Sequence, residues 1–342
     1  MLPETLEIAV RNANRIKTAI DEKIAEERLK LIKELWIDFI PRAKSINICI
    51  AGIDSGYNYL EYRGYALYIA NATWVGICKG MEELGEQMID VDILSTTLIE
   101  KELDMLTTHM EIEAVEKASK LYDLVLVDGS ILVRLNMLMK ARGSHERYII
   151  SRKHPEVNPD DLRLKILSTL MRNEGKVIYI AKKSYARDLL GLSKGDIYYF
   201  ERYTQNPGFS HPILASEFSE IEGEGIRFLG FGPMIMEVRK LLANQGLEPN
   251  FDAVVSYVRF DYGGRVYRLE IPIFTTQHID LIEMVKNAIR NILPICIQGY
   301  PYVLARVDSL VRVSNKDVER VAMIVGLYKE PTSREPLGGI WR

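Results

Sequence analysis

Cysteine is scarce in this sequence of 342 residues, which contains only Cys49, Cys78 and Cys296. The three cysteines are widely spaced, odd in number and set among apolar residues, so neither a disulfide framework nor a CxxC metal site is expected. We interpret them as thiols of the hydrophobic core.

Long apolar runs are also missing. No stretch approaches the roughly 20 apolar residues that a membrane helix needs. The first residues, MLPETLEIAVRNANRIK, are charged and amphipathic, unlike a signal peptide. The sequence therefore predicts a soluble, cytoplasmic protein that does not associate with membranes.

Two common enzyme motifs are absent as well. The five histidines form no HExxH pair, which disfavours a zinc hydrolase, and there is no GxxxxGK[ST] loop for ATP. The formal net charge of -3 argues against binding to polyanions through overall positive charge. It does not exclude such binding, because basic side chains in a groove still attract phosphates and an acidic metal centre itself lowers the net charge.

Apolar side chains, by contrast, make up 47% of the chain, enough for a large core. Apolar residues recur at helical spacing through about Phe39, which predicts a long helix or helix pair ended by Pro41. SINICIAGIDSGY predicts a buried strand that ends in a turn at Asp54-Ser55-Gly56. GYALYIANATWVGICKG predicts one or two strands beside it.

The rest of the chain alternates helices and strands. Residues 97–121 have helical periodicity, and YDLVLVDGSI predicts a central strand ending at Asp128. Further predicted elements are a helix at 162–172, a strand in KVIYIAK, a short helix in SYARDLLGL, a loop at 204–212, a strand hairpin in DAVVSYVRF and RVYRLEIPIF, and helices at 278–292 and 314–325. This order predicts an α/β fold with a partly parallel sheet and no clean domain boundary.

Asp54 and Asp128 each follow an apolar, strand-like run, and Glu111 lies on the predicted helix between them. Carboxylates at the ends of buried strands repel one another unless a cation intervenes, and oxygen ligands suit Mg²⁺ or Mn²⁺. Two such ions about 4 Å apart can activate water in phosphodiester hydrolysis. For a single Asp before Ser or Gly, turn formation or helix capping is the commoner explanation, so the residues alone leave both interpretations open.

Several motifs taken together resemble the NurA family of archaeal and bacterial DNA-end-processing nucleases. In chain order they are AGIDSGYN, HMEIEAV, VLVDGSI, YRLEIP and GYPYVLARVD. The resemblance implies an α/β fold with a ribonuclease-H-like mixed sheet flanked by helices. We expect one NurA-like domain, with an N-terminal helical region at 1–44, a catalytic core with a C-terminal helical segment at 45–330, and a tail at 331–342.

The resemblance also implies the activity and its partners. These are hydrolysis of DNA favoured by Mn²⁺, with Mg²⁺ possible and no nucleotide cofactor, a homodimer that encloses a DNA channel, and joint work with a HerA-type hexameric translocase in resecting DNA ends. Because the chain lacks an ATP-binding loop, any energy-driven movement on DNA is assigned to the partner.

By the same resemblance, Asp54, Glu111 and Asp128 are the metal-binding acids. Glu113 competes with Glu111, but residues two apart on a helix point in different directions, so only one should face the two aspartates. Tyr300 of GYPY matches an active-site position at which its hydroxyl can contact a phosphate or a metal-bound water. Aromatic packing beside Pro301 is the alternative.

Asp308 departs from the family pattern, in which a histidine commonly stands eight residues beyond that tyrosine. An acid can bind a metal directly or hold a water, but it cannot donate hydrogen bonds as a protonated histidine does. Lys182, at the end of KVIYIAK, is favoured by the resemblance as the group that neutralises the scissile phosphate. An ordinary solvated lysine is the alternative.

Other basic residues are candidates for contacts with DNA. Lys183 and Arg187 follow Lys182 closely, and a second stretch, interleaved with Tyr148, contains Arg142, Arg147, Arg152 and Lys153. A solvated basic face explains the second stretch equally well.

The sequence thus predicts a metal-dependent DNA exonuclease, with single-strand endonuclease activity, acting in end resection and double-strand-break repair. One alternative is a catalytically weak DNA-binding ring or scaffold subunit. The other is an RNase H that acts on RNA:DNA hybrids and shares the same core.

Overall fold

The computed structural model describes residues 3–20, 24–41, 48–95, 97–141, 158–217, 220–223, 226–247, 250–274, 279–327 and 330. The candidate DNA contacts Arg142, Arg147, Arg152 and Lys153 lie outside the described residues, as does the predicted tail at 331–342.

The strands and helices are as follows. The strands are β1 (Trp36–Asp38), β2 (Ile50–Glu61), β3 (Ala66–Cys78), β4 (Met81–Leu84), β5 (Met88–Leu94), β6 (Leu124–Asp128), β7 (Val177–Ala181), β8 (Gly208–Ser210), β9 (Ile213–Leu214), β10 (Glu220–Gly223), β11 (Ile226–Leu229), β12 (Asp252–Arg259), β13 (Tyr267–Ile273), β14 (Cys296–Ile297) and β15 (Tyr300–Pro301). The α-helices are α1 (Pro3–Ile20), α2 (Glu26–Glu34), α3 (Ile99–Ala118), α4 (Ile131–Ala141), α5 (Pro159–Arg172), α6 (Asp196–Tyr203), α7 (Gly232–Asn244), α8 (Leu281–Ile292), α9 (Tyr302–Val311) and α10 (Asn315–Ile324).

Within the described ranges, one sheet of eleven strands organises the molecule. Its order is β1-β8-β12-β13-β7-β6-β2-β3-β4, with β5 also paired to β3 and β9 to β12. At its centre β6 runs parallel to both β2 and β7, whereas β2 and β3 pair antiparallel along their whole length. An antiparallel pair followed by parallel strands with intervening helices is the ribonuclease-H-like arrangement, so the predicted mixed sheet is confirmed.

Helices cover both faces of the sheet. On one face α3, α4, α5 and α7 pack against alternate strand residues such as Val125 and Val127. On the other face α8 and α9 pack against Leu124 and Leu126. Because both faces of β6 are buried, its sequence reads as a continuous apolar run rather than an alternating one.

The chain ends carry the predicted helical segments. The N-terminal segment is a helix pair, in which the side chains of α1 are largely exposed and α2 buries Ile32 beside α6. At the other end α10 packs on the outer part of β2 and β3 through Val318. The proposed division at residues 44 and 330 stays a prediction. Among the described residues, no helix has both the length and the apolar character needed to cross a bilayer.

Three local predictions are wrong. β2 does not turn at Asp54 but continues to Glu61, because its pairing with β3 extends past the end of β6. The first helical segment ends at Glu34, and the residues that follow form β1, which pairs with β8 inside the segment predicted as a loop.

The third concerns SYARDLLGL, which is not helical. The buried Asp196 side chain accepts hydrogen bonds from the backbone N–H groups of Leu189 and Leu190, and this local bonding replaces a helical one. The helix instead begins at Asp196 itself.

The expectation of three core thiols is also wrong for two of the cysteines. Cys49 and Cys78 form a disulfide with their Cα atoms 4.3 Å apart. Ile50 pairs with Ile77 at the end of the antiparallel β2–β3 ladder, so Cys49 and Cys78, the residues just beyond this pair, stand opposite each other. A separation of 29 residues hides this proximity in the sequence. Cys296 is a half-buried free thiol.

Candidate metal centre

Three carboxylates meet where β6 ends. Among the described residues, one ligand oxygen from each of Asp54, Asp128 and Asp308 lies within 4.8 Å of the other two. Ile53 of β2 pairs with Val127 of β6, so the next residues along these parallel strands, Asp54 and Asp128, stand side by side. The parallel register of β2 with the last residues of β6 thus places two acids together, although β2 itself continues beyond Asp54, and α9 brings Asp308 to them.

Two glycines that flank Asp54 allow α9 to reach this position. A Cβ atom on Gly52 would lie 2.7 Å from the backbone carbonyl carbon of Val303, and one on Gly56 would lie 2.5 Å from the carbonyl oxygen of Val311. Glycine is therefore required for the backbone of α9 to rest directly on β2. Asp308 lies between these two contact points along α9.

The acids are held in an environment that disfavours their charge. Burial, then the charges of Asp128 and Glu111, raise the pKa of Asp54 to about 8. Burial also raises the pKa of Asp128, although the neighbouring Lys182 acts in the opposite direction. Burial, and for Asp54 the charges of neighbouring acids, therefore disfavour the ionised carboxylates, and a bound cation would favour them.

Lys182 supplies one positive charge to this cluster. Its Nζ atom lies 2.6 Å from Oδ2 of Asp128 and 2.7 Å from Oδ1 of Asp308. Lys182 directly follows β7, which runs parallel to β6. The carboxyl ends of these two neighbouring strands therefore place Lys182 beside Asp128.

Tyr300 forms a wall of the same site. Its ring lies 5.3 Å from Nζ of Lys182 and packs on Tyr267 with 5.0 Å between ring centroids. Its hydroxyl is buried without a hydrogen-bond partner among the residues that the structure describes. Burial, with the charges of Asp128 and Asp54, raises its pKa far above the ordinary range, so it remains a neutral hydroxyl that can donate a hydrogen bond to a ligand oxygen.

Glu111 approaches from the other face of the sheet. Glu111 is 2% exposed, and its carboxylate accepts a hydrogen bond from Oγ of Ser55 at 3.1 Å. Ser55 follows Asp54 on β2, so its side chain points to the opposite face of the sheet. Glu111 also forms an ion pair with Arg134, at 2.6 Å. Glu111 therefore lies outside the group of three close carboxylates, although its charge acts on Asp54.

Sequence analysis did not foresee Arg134. Its Nη2 atom contacts Glu111 and also donates to the backbone carbonyl of Asp128, at 3.1 Å. The available signal was an isolated arginine in the otherwise apolar start of α4, four residues into the helix that follows Asp128-Gly129-Ser130. Such an arginine on a helix that packs against the core needs a buried partner.

The remaining candidates are placed farther from the acids. Glu113, the competitor of Glu111, forms an ion pair with Lys165 of α5 at 2.9 Å. Lys183 is exposed and Arg187 is half-buried, both in the segment that follows β7.

The residues of this site fit a divalent cation. Every candidate ligand atom is a carboxylate oxygen, the type that Mg²⁺ and Mn²⁺ prefer. The ammonium group of Lys182 lies between two of the acids, where positive charge is already favoured.

Comparisons with known proteins show which family this chain resembles. Residues 49–313 match the family model described as the NurA domain. A protein from Sulfolobus acidocaldarius named DNA double-strand break repair nuclease NurA is 26% identical over 333 residues, which cover 93% of this chain and 92% of that protein. Among solved structures, the NurA nuclease from Sulfolobus solfataricus superposes with a TM-score of 0.73 at 20% identity, covering 96% of this chain and 97% of that one.

A second solved structure, described as NurA bound to dAMP and manganese, superposes with a TM-score of 0.55 at 14% identity and covers 95% of this chain and 98% of that one. At these identities the two structures establish a shared fold, whereas the family model covers most of the chain, including Asp54, Glu111, Asp128, Tyr300 and Asp308. On that match the chain belongs to the NurA family.

Proposed function

We propose that this protein is a metal-dependent nuclease that hydrolyses DNA strands from their ends in the repair of double-strand breaks. The observation that carries the proposal is the convergence of Asp54, Asp128 and Asp308 beside Lys182 and Tyr300. Family membership and the names of its relatives support the assignment to DNA.

In this proposal Asp54, Asp128 and Asp308 hold a divalent cation, and Glu111 is a further ligand that becomes available when its ion pair with Arg134 opens. When bound, such a cation stabilises negative charge on the scissile phosphate as a Lewis acid and lowers the pKa of a water molecule. We propose Mn²⁺ as the preferred ion, and the solved structure of NurA bound to dAMP and manganese supports this choice. Mg²⁺ suits the same oxygen ligands.

Lys182 and Tyr300 act on the substrate. Lys182 lies within reach of the acids, and rotation of its long side chain would bring the ammonium group to a phosphate bound beside them. The hydroxyl of Tyr300, which has no hydrogen-bond partner among the described residues, would donate a hydrogen bond to a phosphate oxygen. Lys183 and Arg187, together with Arg142, Arg147, Arg152 and Lys153, are proposed to contact the DNA backbone.

We also propose that the protein works as a homodimer and with a HerA-type hexameric translocase inside the cell. Two observations support partner binding. The helix α1 exposes apolar side chains, among them Leu6 at 57%, Ile8 at 56% and Val10 at 75%. The sequence, moreover, has no ATP-binding loop with which to move DNA itself.

Purified protein incubated with end-labelled DNA tests the proposal. Cleavage should require Mn²⁺ or Mg²⁺ and stop in EDTA, and DNA should be cleaved faster than an RNA:DNA hybrid of the same sequence. Cleavage that persists in EDTA would overturn the metal mechanism. A preference for the hybrid would favour the RNase H alternative, and DNA binding without cleavage under any metal would favour a scaffold subunit.

A further inference from the structure

A buried carboxylate lies behind the metal centre, on the sheet face that packs against α4. Glu270 of β13 is 0% exposed, although a charged side chain is rarely buried without a specific use. Its Oε1 atom accepts hydrogen bonds from Oγ of Ser130 at 2.7 Å and from Nε of Arg268 at 2.6 Å. Its Oε2 atom accepts one from the backbone N–H of Leu132 at 3.2 Å.

We propose that Glu270 is a positioning residue for the metal centre: it fixes the turn that joins Asp128 to α4 and thereby sets the affinity of the acids for a divalent cation. This inference rests on the proposed function, because it concerns the same site. Glu270 itself does not touch the group of three carboxylates.

The first argument is the local structure of the turn. After Asp128 the chain passes through Gly129, at φ +109, a conformation that glycine adopts readily and other residues rarely, and the Gly129 N–H donates to the carbonyl oxygen of Ile180 at 3.0 Å. Ser130 then caps the first turn of α4 by accepting from the N–H of Val133 at 3.1 Å. Glu270 binds both the Ser130 hydroxyl and the N–H of Leu132, so one carboxylate fixes two further points of this turn, beyond the hydrogen bond that ties Gly129 to β7.

A residue of α4 also contacts two of the proposed metal ligands. One turn into this helix, Arg134 donates to the carbonyl oxygen of Asp128 and pairs with Glu111. A shift of the start of α4 would therefore move the backbone of Asp128 and the partner of Glu111 together. Glu270 thus controls two proposed ligands through one helix.

The third argument is that Glu270 is itself anchored. Arg268, its neighbour on β13, is 1% exposed, donates to the hydroxyl of Tyr257 at 2.9 Å and forms a close ion pair with Asp188. Arg268 therefore holds the Glu270 carboxylate on the side of the sheet, while the same carboxylate binds the turn on its other side. Groups that orient metal ligands from behind commonly change metal affinity about 10- to 100-fold when removed.

Mn²⁺ binding measured by calorimetry in the absence of DNA tests the proposal. Glu270→Gln should weaken Mn²⁺ binding about tenfold, because the amide cannot satisfy Ser130, Leu132 and Arg268 together. Ser130→Ala, which cuts the link without disturbing β13, should weaken it similarly. Ser130→Thr should recover most of the affinity, since it restores the hydroxyl.

Asp252→Asn is the matched control. Asp252 on the adjacent strand β12 is also buried and paired, with Arg239 at 2.8 Å, but has no contact with the turn after Asp128. Asp252→Asn should lower the melting temperature about as much as Glu270→Gln does. Its Mn²⁺ dissociation constant should stay within about twofold of the wild-type value. In cleavage assays, Glu270→Gln should raise the Mn²⁺ concentration needed for half-maximal rate and leave the KM for DNA nearly unchanged.

The outcomes separate this inference from the proposed function. If Asp128→Asn loses Mn²⁺ binding while Glu270→Gln and Ser130→Ala bind as tightly as the wild type, only the positioning role is overturned. Equal losses in Asp252→Asn and Glu270→Gln would also overturn it, because the effect would then follow stability. If Asp128→Asn itself retains full affinity, the proposed metal centre is overturned.

Discussion

The Nζ atom of Lys182 lies 2.6 Å from a carboxylate oxygen of Asp128 and contacts Asp308 as well. The ammonium group of Lys182 therefore lies where positive charge is favoured by two carboxylates. In the proposed function, Lys182 neutralises the acids before DNA binds and the scissile phosphate after DNA binds.

Replacing Lys182 by Met tests this double role. The variant should cleave DNA about 10- to 100-fold more slowly, because a charge that stabilises the transition state is lost. Mn²⁺ binding should be retained or tightened, since the competing ammonium is gone. Lys183→Met, a change at the adjacent exposed lysine, is the control and should reduce the cleavage rate much less. If Lys182→Met changes only the melting temperature, and neither the cleavage rate nor Mn²⁺ binding, then Lys182 has a structural role and does not act on the substrate.

The raised pKa of Asp54, about 8 against an ordinary 3.8, predicts how the metal-free protein responds to pH. Between these values the folded chain keeps a proton on Asp54 that the unfolded chain releases. The contribution of this group to stability therefore falls as the pH rises, by up to about 1.4 kcal/mol per pH unit. Asp54→Asn removes the effect, so the melting temperature of the variant in EDTA should gain on that of the wild type from pH 5 to pH 8. A constant difference across that range would show that Asp54 titrates normally.

Asp308 is expected at a position where the resemblance to the NurA family implies a histidine, and its carboxylate oxygen lies within 4.8 Å of those of Asp54 and Asp128. Asp308→Ala should raise the Mn²⁺ concentration needed for half-maximal cleavage without abolishing activity, because two carboxylates remain. Asp308→His should also weaken apparent Mn²⁺ affinity and add a pH dependence between about 6 and 7 from the imidazole. Mn²⁺ titrations of both variants that overlay the wild-type curve would exclude Asp308 from the site.

Much of the fold follows from local patterns in the sequence. The continuous apolar run of β6, the helical spacing of α3 and the β12–β13 hairpin were predicted because each pattern is contained in one stretch of chain. The errors arose where distant segments decide the outcome. β1 exists only because it pairs with β8, and β2 extends past Asp54 only because β3 continues beside it.

The candidate site shows the same division. Asp54 and Asp128 could be named as candidates because each follows an apolar run in the sequence, and the parallel register of β2 and β6 sets them side by side. Arg134 and Glu270 could not be named from the sequence, because their partners are distant along the chain. Arg134 pairs with Glu111, 23 residues before it, and Glu270 binds Ser130, 140 residues before it. Gly52 and Gly56 were visible in the sequence, but their purpose depends on the approach of α9 from the far end of the chain.

The Cys49–Cys78 disulfide joins β2 and β3 just beyond the Ile50–Ile77 pair, five residues before Asp54. Closing a loop with a sequence separation of 29 residues restricts the unfolded chain, and the bond should add about 2–4 kcal/mol to the free energy of unfolding. Cys49→Ser should therefore melt at a lower temperature than the oxidised wild type, with unchanged Mn²⁺ affinity. A melting temperature of the wild type that does not respond to dithiothreitol would show that the bond is absent in solution or contributes little.

The central claim is that Asp128, together with Asp54, holds the metal on which DNA hydrolysis depends. The most direct measurement is Mn²⁺-dependent cleavage of end-labelled DNA by Asp128→Asn beside Asp123→Asn, an aspartate just before the opposite end of β6 whose carboxylate accepts from the N–H of Cys49. We predict that Asp128→Asn abolishes cleavage at every Mn²⁺ concentration while still folding and binding DNA, and that Asp123→Asn cleaves at near wild-type rate. Near wild-type cleavage by Asp128→Asn would contradict the claim.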